Sequence, residues 1–147
     1  MSINKNQKGM GLLEVIVAVA IFTIGIATVI HLYVGSHYAS ISSVERNQAI
    51  LIAREGIEAV RSIRDESFSN VTTTSGGVEI NENNKWVITE EPNEIDNKFI
   101  RIIDITEENN ETWHVTSTVS WESHRGRNVS VSLAEKLTIW REIYNIE

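Results

Sequence analysis

Among the side chains able to do chemistry, Glu14 has the most demanding setting. It follows Lys8-Gly9-Met10-Gly11-Leu12-Leu13 and stands at the edge of an apolar run that continues to about Tyr33. A carboxylate at mid-bilayer would cost about 2.5–3.5 kcal/mol. A chain that needed only an anchor would gain by losing it, so the acid implies a partner for its charge and points to assembly. The other reactive types do not converge. Two histidines three or four apart would put metal ligands on one helix face, but His31 and His37 are six apart and face different ways. His114 and His124 approach each other only across a hairpin, and no third ligand accompanies them. The acidic stretch from Glu90 to Asn97 offers oxygen ligands of the kind calcium takes, without an ordered ligand spacing, and reads as a solvated turn. No Ser/His/Asp grouping, Gly-rich phosphate loop or paired-carboxylate motif occurs. The chain is therefore expected to be no enzyme, with no catalytic residue, no metal and no cofactor. Trp86, Trp113, Trp121 and Trp140 are expected in the core or on a sheet face rather than as a ligand platform. Three Asn-x-Ser/Thr triplets, at Asn70, Asn110 and Asn128, are short patterns common by chance and are assigned no role.

Composition narrows the classes further. There is no cysteine among the 147 residues. That excludes disulfides, thiol catalysis, Cys-ligated zinc and a lipoprotein anchor. Removing residues 1–9 would take away Lys5 and Lys8, leaving 13 − 2 = 11 basic against 20 acidic side chains, a difference of −9. So acidic a body has no overall electrostatic footprint for nucleic acid. Positive charge precedes the apolar run, and the next charges after it are Glu45 and Arg46. This asymmetry places the N-terminus in the cytoplasm and the body outside.

The elements that must position these residues read as one helix followed by a sheet. About twenty apolar residues are enough to cross a bilayer. A secretory signal would be shorter and would end in a small-residue cleavage site, which does not follow here. From Ile41 an amphipathic pattern takes over, with Ile50, Ala53, Ile57 and Val60 on one face and Arg54, Glu58 and Arg61 elsewhere. Gly56 is its weak point, at about 1 kcal/mol against Ala. The expected helix runs from Gly11 to Asp65, about 80 Å at 1.5 Å per residue. That is too long for a small globular domain, so its first half must lie in lipid or against other copies of itself. Ser67–Gly77 reads as a loop. Short strands are expected at 78–80, 85–89 and 99–105, and a hairpin at 115–121 and 129–133 turning through Ser123–Arg127. The segment from Leu137 to Trp140 is expected to pack back on the body. The fold class is thus α+β, a long N-terminal helix on an antiparallel sheet of about four strands.

The basic leader, Gly9, Met10, the acid five residues after Gly9, and the apolar run Val15–Phe22 together resemble the type IV pilin family, including the pseudopilins of type II secretion. The resemblance rests on about the first fifth of the chain. It implies cleavage by a prepilin peptidase between Gly9 and Met10, N-methylation of the Met10 amine, and a meeting of Glu14 with that amine on a neighbouring subunit. Partners would be the peptidase, other pilin subunits, an assembly platform and the membrane. The location would be a single-pass cytoplasmic membrane precursor, then an extracellular filament. The stretch Ala53–Asp65 resembles the helix end of PilV-like minor pilins. Two departures stand out: the only proline is Pro92, whereas many major pilins carry one midway along the helix, and no disulfide can close a C-terminal loop. The implied organisation is a leader at 1–9, a transmembrane and polymerisation half at 10–34, an amphipathic half at 35–65 and a sheet domain at 66–147. Minor pilin is the first reading, a pseudopilin of a secretion or competence system the second, and a membrane-anchored binding module that never polymerises the third.

Overall fold

The computed structural model describes residues 7–109, 111–124 and 126–138, and side chains from residue 11 onward. It holds two compact units, Met1–Ile41 and Ser42–Glu147.

The described residues of the first unit are helix alone. They belong to α1 (Gln7–Glu66), which starts four residues before the expected Gly11 and ends one after Asp65. Every residue from 11 to 40 is exposed, including Leu12, Leu13, Ile16, Phe22, Ile24 and Leu32. A helix apolar on all sides has no inward face to choose, which is the mark of a span or of the core of something larger. Its two threonine hydroxyls are satisfied within the helix: Thr23 Oγ1 donates to the Val19 carbonyl at 2.7 Å and Thr28 Oγ1 to that of Ile24 at 2.9 Å. Such back-bonding leaves little polarity on the surface.

The second unit is an antiparallel sheet covered by the rest of α1. After a 3₁₀ turn at Phe68–Asn70 come β1 (Thr74–Ile80), β2 (Trp86–Thr89), β3 (Asn93–Ile95), β4 (Phe99–Asn109), β5 (Thr112–Glu122) and β6 (Asn128–Thr138). The order is β2-β1-β4-β5-β6, with β3 paired to β4 beside β1. The α+β architecture is as expected, but the sheet has six strands rather than about four. Part of the expected loop at 67–77 is β1, because Gly76 and Gly77 let the strand change partners in a crowded place. A Cβ on Gly76 would lie 1.9 Å from the Thr89 carbonyl oxygen. Thr74–Gly76 pair with β4, and Gly77–Ile80 pair with β2. Likewise β3 lies inside the stretch expected as a turn. Asn93 secures it, its Oδ1 accepting the Val78 N–H at 2.9 Å.

Alternation sets the inner face. Phe99, Arg101, Ile103 and Ile105 of β4 and Trp113, Val115, Ser117, Val119 and Trp121 of β5 are buried, while the residues that alternate between them are more exposed. Ala49, Ala53, Ile57, Ala59, Val60 and Ile63 of α1 are buried against them. Ile50 is only half-buried, and Ala49 takes the place expected for it. Small side chains let the helix come close, and Gly56 shows how close. A Cβ there would stand 2.6 Å from Ile103 Cδ1 and 2.8 Å from Ser117 Oγ. Gly56 is thus a clearance requirement, and its helix penalty is the cost of that contact. The core falls into two clusters, one around Ile57, Val60, Ile103, Ile105 and Val115, the other around Ala49, Ala53, Phe99, Val119 and Trp121. The expected hairpin turn closes with Gly126 at φ 67°, its N–H donating to the Ser123 carbonyl at 2.8 Å.

Candidate functional site

The N-terminal turns of α1 carry the residues singled out by their chemistry. The helix includes Gly9 and Met10, whose side chains lie outside the described residues. Glu14 lies one turn further on and is exposed among Leu12, Leu13, Val15, Ile16 and Val17, themselves exposed. Among the described residues it has no ion pair and no hydrogen bond. An ionised carboxylate so placed keeps its free energy low only in water, in a headgroup region or beside a cation. The surrounding side chains offer none of these, so whatever covers this apolar surface must also meet the charge.

The histidines are not brought together. Tyr33 and His37 stack on α1, with centroids 6.4 Å apart and planes 8° from parallel. His114 Nε2 lies 3.2 Å from Glu108 Oε2, and His114 pairs with Lys136 across β5 and β6. His124 lies past the other end of β5, with Nδ1 3.3 Å from Glu45 Oε1. The expected approach of His114 and His124 is therefore wrong: they occupy opposite ends of one strand. Among the described residues no three His, Asp or Glu side chains cluster as metal ligands. Trp113 and Trp121 are buried and Trp86 is half-buried against the core, as expected for sheet-face aromatics. Leu137 is buried, while Ile139 and Trp140 lie outside the described residues.

Two polar residues escaped the sequence reading and organise the body. Arg101 is 3% exposed. Its Nη2 donates to Asn93 Oδ1 at 3.0 Å, and its Nη1 to the Ile52 carbonyl at 3.2 Å and to Glu55 Oε1 at 3.3 Å. One guanidinium thereby links β4, β3 and α1. Glu45 is 4% exposed. It accepts from Lys98 Nζ at 2.8 Å and from Trp121 Nε1 at 3.4 Å, with His124 beside it. The Lys98 hydrogen bond holds the Glu45 carboxyl below the ordinary carboxylate value of 4.5, outweighing the opposing effect of burial. A faint signal existed for both. Glu45, Ala49 and Ala53 share the i, i+4, i+8 face, and Arg101 interrupts the apolar alternation of β4.

Residues 4–30 match the family model described as the prokaryotic N-terminal methylation motif. The search of curated proteins and the search of solved structures each found no match. The methylation motif, together with a long apolar N-terminal helix, supports a type IV pilin-like family and indicates prepilin-type cleavage and methylation, as in a pilin or pseudopilin. The motif suggests a structural subunit rather than an enzyme, and implies a membrane-anchored precursor that a prepilin peptidase processes for assembly with other pilins.

Proposed function

We propose that this chain is a minor pilin of the PilV-like kind, cut after Gly9, methylated on the Met10 amine, and held in a type IV pilus-like filament through Glu14. The observation that carries the reading is a methylation-motif segment, apolar on every side, whose single carboxylate, Glu14, has no partner among the described residues. The Met10 amine of an adjacent subunit supplies the missing cation. Both charges are costly alone in an apolar setting, and pairing recovers part of that cost while setting axial register. The precursor keeps its N-terminus in the cytoplasm and its body outside. Two measurements test this: the N-terminal mass of the mature protein, and its presence in filaments sheared from cells. A methylated Met10 terminus in the sheared fraction is expected, and Gly9→Leu is expected to leave the leader attached. A mature protein that starts at Met1 or beyond residue 34 would defeat the processing step. A correctly processed protein that never leaves with filaments would favour the anchored binding module.

A further inference from the structure

A cleft of about 540 Å³ lies in the second unit between the end of α1, the 3₁₀ turn and the β1–β2 hairpin. Small-molecule sites fall typically between about 300 and 1,000 Å³. Its apolar lining is Ile63, Trp86, Val87 and Ile88, and Trp86 and Ile88 pack against the larger core cluster from its margin. Its polar lining includes Asn70, Thr72 and Thr74, whose side chains make no hydrogen bond among the described residues. Both walls are preformed. On one side, Asn70 N–H donates to the Ser67 carbonyl and Val71 N–H to that of Phe68, each at 3.1 Å. On the other, Asn81 Oδ1 accepts the N–H groups of Asn83 at 2.9 Å and Lys85 at 3.1 Å, which fixes the turn that presents Trp86.

We propose that this cleft binds a neutral saccharide, with a sugar ring against Trp86 and its hydroxyls on Asn70, Thr72 and Thr74. A hexose offers a C–H face and a rim of groups that both donate and accept. An indole beside aliphatic side chains suits the first. An amide and two hydroxyls, which donate and accept equally well, suit the second. Charge selects against the alternatives. Lys85 is the single cation of the lining and is paired with Glu66, while Glu90 adds a further negative charge. An anionic sugar or a phosphate would meet net negative charge here. This inference is independent of filament assembly, because every residue it uses lies in the body.

The test uses the full chain in a phosphocholine detergent, which carries no sugar of its own. Cellobiose, maltose and N,N′-diacetylchitobiose are titrated against tryptophan fluorescence, with sialyllactose and trilysine as charged comparisons. At least one neutral disaccharide is expected to saturate in roughly the millimolar range. Trp86→Ala is expected to weaken that midpoint by about fivefold or more, the scale of one lost aromatic contact. If Trp86→Ala fails to fold by near-ultraviolet circular dichroism, the rim pair Asn70→Ala/Thr72→Val decides, since both positions are exposed and the same weakening is expected. Three results would overturn the proposal: no saturation by any neutral disaccharide up to about 50 mM, tighter binding of either charged probe, or an unchanged midpoint in the variants that fold.

Discussion

Two carboxylates of α1 stand in opposite circumstances. Glu14 stands among exposed apolar side chains with no partner among the described residues. Glu45 is buried, and Lys98, Trp121 and His124 all converge on it. The surroundings differ in the same sense. Phe22 is 68% exposed in the first unit, whereas Ala49 and Ala53 are fully buried in the second. The body pairs its buried charges, Glu45 and Arg101, and covers the inner face of its sheet. The N-terminal segment does neither, so its physics is finished only by other molecules, whether lipid or neighbouring subunits. A change in the first unit should therefore leave stability alone and alter assembly, and a change in the second should do the reverse.

The strongest break of that division is expected at Glu14. Glu14→Val makes the segment more apolar, so insertion and cleavage should survive. Incorporation into sheared filaments should fall by at least about tenfold, equivalent to 1.4 kcal/mol, with unfolding of the body unchanged in urea. Glu14→Asp should fall between, since the charge remains and its reach shortens. Wild-type incorporation of Glu14→Val would end the pairing role. The largest effect on the body is expected at Arg101. Arg101→Ala takes the guanidinium away from Asn93 and the Ile52 carbonyl and leaves a void, while the exposed Glu55 carboxylate returns to water. The cost is about 1–3 kcal/mol. This would appear as a lower urea midpoint at unchanged slope. Arg101→Met, which keeps most of the volume, should cost less. A loss under about 1 kcal/mol for Arg101→Ala would show that the clamp is ornamental.

How legible each region was follows from how local its causes are. The apolar run and its single acid are contiguous, and the membrane makes their meaning plain, so Glu14 stood out. The amphipathic half of α1 and the strands β5 and β6 announce themselves by period, and they lie close to where they were expected. β3 did not, because three residues beside a proline carry no period, and its stability comes from Asn93 reaching Val78 and Arg101. β1 was hidden by Gly76-Gly77, a loop signal that here serves close packing. The partners of Glu45 lie 53 to 79 residues away along the chain, and no local pattern names them. The roles of Gly9, Met10 and Glu14 belong to contacts with other molecules, so their proof lies in processing and assembly experiments.

Gly56 offers a sharper test of how the helix meets the sheet. Elsewhere on a helix, Gly→Ala gains about 1 kcal/mol from propensity. Here the added methyl would meet Ile103 Cδ1 at 2.6 Å and Arg101 Cδ at 3.0 Å. Overpacking of this kind costs about 1–3 kcal/mol. Gly56→Ala is therefore expected to be neutral to mildly destabilising, and Gly56→Val clearly destabilising, by thermal unfolding. Gly25→Ala serves as the comparison, because nothing lies within 4 Å of its added methyl. If Gly56→Ala stabilised the body, the helix would lie further from the sheet than it does here.

The smallest effect is a pH dependence at Glu45. Its folded carboxyl ionises more readily than the ordinary value of 4.5, chiefly through Lys98. Protonation must therefore be easier in the unfolded chain. The contribution to stability is present above the ordinary value and is lost as pH falls through the lower folded value. Lys98 is 36% exposed, so solvent screening reduces the contribution to about 1 kcal/mol. Glu108 is also held below its ordinary value, by Lys136 first, and adds to any acid sensitivity of the wild type. The informative quantity is therefore a difference: between pH 7 and pH 3, wild type should lose more stability than Glu45→Gln, while Glu108→Gln reports the separate contribution of the outer sheet face. Lys98→Met should remove most of the same increment, because the hydrogen bond is what lowers the Glu45 carboxyl. Equal acid slopes in wild type and Glu45→Gln would mean that burial and pairing cancel at this site. The contrast with Glu14 would then rest on geometry alone.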